Sequence, residues 1–137
     1  MRDKAPTPEQ MDELLRFLPL FEQPGRTFME RWAGGEPTGD GAVTTRYPVY
    51  PEEVVAFFLL AGQTIWSDFD YKPAEARAML EDDALVESAT LDEIKTMLTY
   101  CVRGERFCDG HWAAVLESGR VQALLRRLKA LRASVEE

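Results

Sequence analysis

The stretch Arg103 to Trp112, RGERFCDGHW, holds the chain's only histidine, one of its two cysteines and two arginines. Any imidazole acid–base chemistry near neutral pH must therefore run through His111. Arg103 and Arg106 flank a turn. If a helix opens just after it, the unbonded N–H groups of Gly110, His111 and Trp112 would point out beside the two guanidiniums and bind a phosphate or carboxylate. The same residues also have a plainer use. Glu105 and Asp109 lie in that turn and can pair with the arginines, and Asp109 as N-cap would consume the first free donors, so that the cluster braces the fold. A half-buried histidine sharing a face with Ala114 and Val115 is the structural counterpart of a catalytic one.

Two further groupings have the residue types for chemistry. Cys101, Cys108 and His111, with Asp109, could supply thiolate and imidazole ligands to a tetrahedral zinc ion, but there is no C-x-x-C pair and Cys101 falls on an apolar helical stripe. A Cys108–His111 nucleophile pair lacks a third orienting group and an oxyanion hole. No metal or cofactor is expected. Asp68 and Asp70, on one face of a strand, would stand about 7 Å apart, a spacing that suits a divalent cation or paired-carboxylate proton transfer. Turn formation or helix capping is the commoner use of such aspartates.

The elements that must position these residues are mostly helical. Thr7-Pro8-Glu9-Gln10 is a capping box, and Met11, Leu14, Leu15 and Leu18 form the stripe of a helix that Pro19 and Pro24-Gly25 end. Thr27 to Trp32 and Ala42 to Tyr47 read as the strands of a β-hairpin, with Pro48 stopping the second. Pro51 opens a helix whose Val54, Val55, Phe57, Phe58, Leu59 and Leu60 imply burial on most sides. Thr64 to Tyr71 alternates like a third strand. A short helix, Pro73 to Glu81, precedes an acidic turn, and Thr90-Leu91-Asp92-Glu93 is a second capping box, opening a helix that Gly104 closes in the left-handed conformation. Asp109 then caps a helix to Ser118, Gly119 closes it, and a final helix carries Val121, Leu124, Leu125, Leu128 and Leu131 on one face and basic residues on the others.

The run TYCVRGERFCDGHW from Thr99 to Trp112, followed by Glu117-Ser118-Gly119 and Leu125-Arg126-Arg127-Leu128, resembles a prokaryotic family known only as a domain of unknown function. The likeness extends to Tyr47–Tyr50 and to Phe69-Asp70, where the family has Phe-Asp-Trp and this chain has Tyr71. It covers most of the sequence, and it implies neither an activity nor a catalytic residue.

With 137 residues, 45% hydrophobic and 29% charged, the chain fits a single domain over 1–137, its tail from 134 frayed. The expected class is α+β and helix-dominated, a helical bundle with a small antiparallel sheet. A net charge of −8 disfavours nucleic acid as a partner. The apolar run from Val54 to Gly62 is too short to cross a bilayer, and two cysteines with no signal-like segment fit a reducing cytoplasm. Arg120, Arg126, Arg127, Lys129 and Arg132 make the final helix a candidate surface for a protein partner or a second copy of the chain. Without a specific catalytic motif or a phosphate-cradling glycine loop, the expected function is a small non-enzymatic binding or protein-interaction module. The alternative is a small hydrolase or transferase for an anionic small molecule, with Arg103 and Arg106 holding the anion and Asp68, Asp70 or His111 handling protons.

Overall fold

Thr7 opens the first helix as its sequence requires: its hydroxyl accepts from the Gln10 N–H at 3.1 Å, and the Gln10 side chain accepts from the Thr7 N–H at 2.8 Å. The computed structural model describes residues 5–37, 39–42 and 45–135. Helix α1 (Pro8–Leu15) breaks at Arg16-Phe17, and the chain resumes as a short α2 (Leu18–Phe21). Pro19 thus sits in the first turn of α2, where its missing N–H costs nothing, instead of ending the first helix.

The remaining helices are α3 (Glu52–Ala61), α4 (Pro73–Leu80), α5 (Asp83–Glu87), α6 (Leu91–Arg103), α7 (His111–Glu117) and α8 (Arg120–Val135). The second capping box is present: the Thr90 hydroxyl accepts from the Glu93 N–H, and the Glu93 carboxylate from the Thr90 N–H. The acidic turn is itself helical, because the Asp82 carboxylate accepts from the Leu85 N–H at 3.2 Å and caps α5. Gly119, at φ +80°, separates α7 from α8 in the left-handed conformation expected of it.

Helix α8 is the centre of the bundle, packing on α1, α2, α5, α6 and α7. Its Val121, Leu124, Leu125 and Leu128 are buried, so truncating Leu124 or Leu128 to alanine would cost about 2–5 kcal/mol. Phe57 of α3 meets Phe17, at the break, and Phe21 of α2 edge-on, with ring centroids 5.5 and 5.2 Å away. Burial of α3 is less complete than its composition suggests. Val54, Phe57, Phe58 and Ala61 face inward, while Leu59 is 68% exposed.

The fold is helix-dominated α+β, with one two-stranded antiparallel sheet of β1 (Arg31–Ala33) and β2 (Tyr47–Val49) among the described residues. Both strands lie further along the chain than their composition indicated, with Arg31 opposite Val49 and Ala33 opposite Tyr47. Pro48 lies inside β2 instead of stopping it, since a two-stranded ribbon leaves each strand an open edge where a residue without an N–H is tolerated. Val43 and Thr44 of the anticipated second strand lie outside the described residues, as do 136 and 137 of the tail. The anticipated third strand is absent. Thr64–Trp66 is a single 3-10 turn that carries Trp66 into the core, and the Ser67 hydroxyl binds back to the Gln63 carbonyl at 3.0 Å.

Candidate functional site at the junction of α6 and α7

Between Arg103 and His111 the chain makes a 3-10 turn, Gly104–Arg106, and then a tight reversal through Asp109-Gly110. Gly110, not Asp109, is the N-cap of α7, and its φ of +89° is one that residues with a Cβ rarely take. Because a glycine has no side chain to cap the helix, the capping oxygens come from elsewhere. The Glu105 carboxylate accepts the Gly110 N–H through one oxygen at 3.0 Å and the Trp112 N–H through the other at 2.9 Å, while the His111 N–H goes to the Cys108 carbonyl at 3.1 Å. The three donors read from sequence as an anion cradle are therefore met by the protein's own carboxylate and one of its carbonyls.

Glu105 is also tied to Tyr50, which follows β2. The phenol donates to both carboxylate oxygens, at 2.8 and 2.9 Å. Burial raises the phenol's pKa, and hydrogen bonding and charge from Glu105 push it the same way, so Tyr50 remains a donor. Trp112 locks the other side: its indole N–H reaches the Val102 carbonyl at 2.9 Å, and its ring stacks on Phe58 at 4.6 Å, within 6° of parallel.

Gly104 is not left-handed. Its φ and ψ, −59° and −27°, are helical, so conformational freedom does not explain a glycine here. Close approach does, since a Cβ on Gly104 would collide with Nε2, Cδ2 and Cε1 of the His111 ring. That ring meets Tyr100 edge-on at 5.1 Å, and its Nε2 is buried without a hydrogen-bond partner. Burial lowers the imidazole's pKa from 6.5, opposed by the Tyr100 carbonyl and the charge of Glu105, and His111 is neutral near pH 7.

The arginines do not pair with Glu105 as the sequence suggested. Arg103 lies over the rings of Phe69 and Tyr71, 5.3 and 5.5 Å from their centroids. Arg106 is exposed and lines a groove of about 430 Å3 with Phe58, Leu59, Gly62, Val102, Trp112 and the tied carboxylate of Glu105. Beside it in the chain, Phe107 is 83% exposed.

Asp68 and Asp70 do not share a strand face. The Asp68 carboxylate accepts from the Thr96 hydroxyl at 2.7 Å and from the Asp70 N–H at 3.0 Å, and the Asp68 N–H reaches the Thr99 hydroxyl at 2.9 Å. With Arg103 against Phe69 and Tyr71, positions 96, 99 and 103 of α6 hold this loop along one helix face. His111 lies elsewhere, on a recess with Arg77, Tyr100 and Arg120. The two thiols are also unlike. Cys101 is fully buried, its pKa pushed up to about 12, whereas Cys108 is exposed. Among the described residues no three His, Cys, Asp or Glu side chains are placed to hold a metal ion, and no helix is long and apolar enough to cross a membrane.

The basic charge of α8 is largely used within the chain. Arg126 pairs with Glu22 and Arg132 with Asp12, while Arg120 and Arg127 donate to the carbonyls of Leu80 and Ala89. Sequence reasoning named Glu105 as a partner for the arginines but missed Tyr50 and the capping role of Glu105. The Asp109-Gly110 pair is a turn signal that could have moved the cap to Gly110 and so raised the question of what replaces a capping side chain.

A family model matches residues 6–134, nearly the whole chain. The chain belongs to a family of unknown function, DUF6508. No curated protein and no solved structure matches it. The matched span includes the whole Glu105 junction, the groove beside it and the recess at His111.

Proposed function

We propose that this member of the family is a non-enzymatic protein-interaction module, and that the groove beside the α6–α7 junction takes an acidic peptide segment carrying an apolar anchor. The observation that carries this reading is the company kept by Arg103 and Arg106. Glu105, the nearest carboxylate in sequence, is committed to Tyr50, Gly110 and Trp112, so it does not neutralise them through an ion pair. Leu59 lines the groove with Arg106, Phe69 lies against Arg103 and Phe107 follows Arg106 in the chain, at 68%, 58% and 83% exposure. Arginine and exposed aromatic residues are the side chains that dominate binding energy at protein interfaces. A guanidinium lying over rings keeps its in-plane donors for a carboxylate. On a chain of net charge −8, a local pair of cations draws an acidic segment to this place and repels it from most others.

The alternative of a hydrolase or transferase needs His111, Asp68, Asp70 and the two arginines around one cleft. Their separation weighs against it, and the use of α8's arginines within the chain favours this groove over α8 as the contact surface. Selecting a displayed random-peptide library against the full chain tests the proposal. Enriched peptides are expected to carry a Leu or aromatic residue flanked by Asp or Glu, and Arg106→Glu and Phe107→Ser should each abolish their binding. A library that yields no such consensus, or consensus peptides that bind the Arg106→Glu chain as well as the original, would refute it.

A further inference from the structure

Where α4, α6, α7 and α8 meet, a second recess of about 260 Å3 opens beside His111. Its polar lining is Arg77 from α4, Glu81 just after it, Tyr100 from α6, His111 from α7, Ser118 after that helix and Arg120 at the start of α8. Arg120 is anchored, one terminal nitrogen donating to the Leu80 carbonyl at 2.7 Å. A guanidinium carries five N–H donors, and that bond uses one of them. Arg77 spends its Nε on Glu81 at 3.3 Å and keeps both terminal nitrogens. The Tyr100 hydroxyl makes no hydrogen bond among the described residues. Ser118 gives its hydroxyl to the Val115 carbonyl at 3.1 Å, leaving the oxygen as an acceptor only.

We infer that this recess is a binding site for a compact oxyanion, a phosphoryl or carboxylate group held between Arg77 and Arg120 with the Tyr100 hydroxyl as a third donor. The anion cradle that the sequence suggested at the start of α7 is filled by Glu105, and these two arginines are the cations that the fold brings together in its place. Four elements converge on the recess, so the donors are held by helices packed on one another and not by a loop. Burial raises the pKa of the Tyr100 phenol, with Arg77 and Arg120 opposing the rise, so both guanidiniums act on this recess and the phenol keeps its proton as a donor. Glu81 is the one carboxylate lining the recess and opposes an incoming anion. His111, neutral near pH 7, lines the recess without adding charge. The volume suits a phosphate ion, a short dicarboxylate or the head of a small phosphorylated molecule.

As the only histidine, His111 reports on the recess without assignment, because its ring gives the sole imidazole signals in a proton–carbon NMR spectrum. The full chain is titrated at pH 7.5 with inorganic phosphate, in a separate arm with malonate, and with sodium chloride at matched ionic strength. A saturable movement of the ring signals with phosphate, with malonate or with both, absent with chloride, is expected, and the two arms separate a phosphoryl site from a carboxylate one. Arg77→Gln should weaken the apparent affinity about tenfold, and Glu81→Gln should tighten it about threefold. Both side chains are well exposed, at 66% and 49%, so neither change should disturb the fold. Ring signals that stay still with both anions, or that respond alike in the unmodified chain, Arg77→Gln and Glu81→Gln, would overturn the inference.

Discussion

The phenol of Tyr50 donates to both oxygens of the Glu105 carboxylate, 55 positions further along the chain, while the same two oxygens accept the Gly110 and Trp112 N–H groups of α7. One side chain thus serves as helix cap and as tie to the segment after β2. Glu105→Ala removes every acceptor at once and is expected to destabilise the protein by about 2–3 kcal/mol. Glu105→Gln keeps one acceptor oxygen and should cost about half as much. Tyr50→Phe removes only the phenol bond and should cost about 1 kcal/mol. Urea denaturation measures all three, and a Glu105→Ala midpoint equal to that of the unmodified chain would remove the capping role.

Gly104 is required by the ring above it and not by its backbone. Gly104→Ala should therefore destabilise by about 1–3 kcal/mol through overpacking against His111. In a chain that already carries His111→Ala the same change should cost little, because a helical alanine is otherwise welcome there. The coupling between the two positions is read from a double-mutant cycle of denaturation free energies. Additive costs would mean that the contact with the imidazole is not what excludes the methyl group.

The pH dependence of stability follows from the lowered pKa of His111. Well above pH 6.5 the imidazole is neutral in both states and carries no penalty. As pH falls below 6.5 the unfolded chain takes up a proton that the folded chain resists, so stability drops until the folded-state imidazole is protonated too. Denaturation curves between pH 7.5 and 5 should show this loss, and His111→Gln should flatten it. A ring titration by NMR with a midpoint above 6.5 would contradict the lowered value.

The two thiols should differ sharply in reactivity. Cys108 is exposed, and Cys101 is fully buried with its pKa pushed up to about 12. A disulfide reagent at pH 8 should titrate one thiol in the folded protein and the second only in denaturant, since the thiolate is the reacting form. Two rapid equivalents without denaturant would show that α6 opens readily around Cys101.

Local signals in the sequence located most of the helices. Both capping boxes, the proline starts of α1 and α4, the glycine between α7 and α8 and the leucine stripe of α8 are each legible within one turn of chain. The strands were less so, because three-residue elements are too short for alternation to register, and the Trp66–Asp70 alternation mimicked a strand while the hydroxyls of Thr96 and Thr99 drew Asp68 onto α6. At the junction, residue types pointed to the right place and the wrong partners. Arg103 and Glu105 are near neighbours in sequence and look like an ion pair. In three dimensions each has a better partner far along the chain, Phe69 and Tyr71 for one and Tyr50 for the other. Preferences set by tertiary contact leave no local trace.

Helix α7 has seven residues, too few to stay helical in water without support. Its first turn is closed by Glu105, which is in turn held by Tyr50, and Tyr50 reaches it only after a long span of chain has collapsed. The order in which the molecule assembles is thereby constrained. α6 and α8, of 13 and 16 residues, reach the length at which a helix begins to hold on its own, whereas α7 and the ribbon before α3 are expected to appear together and later. When the native protein breathes, the amide protons of Gly110 and Trp112 should exchange as one cooperative unit with the hairpin, on a common opening event, and not with the helix α8 that α7 precedes.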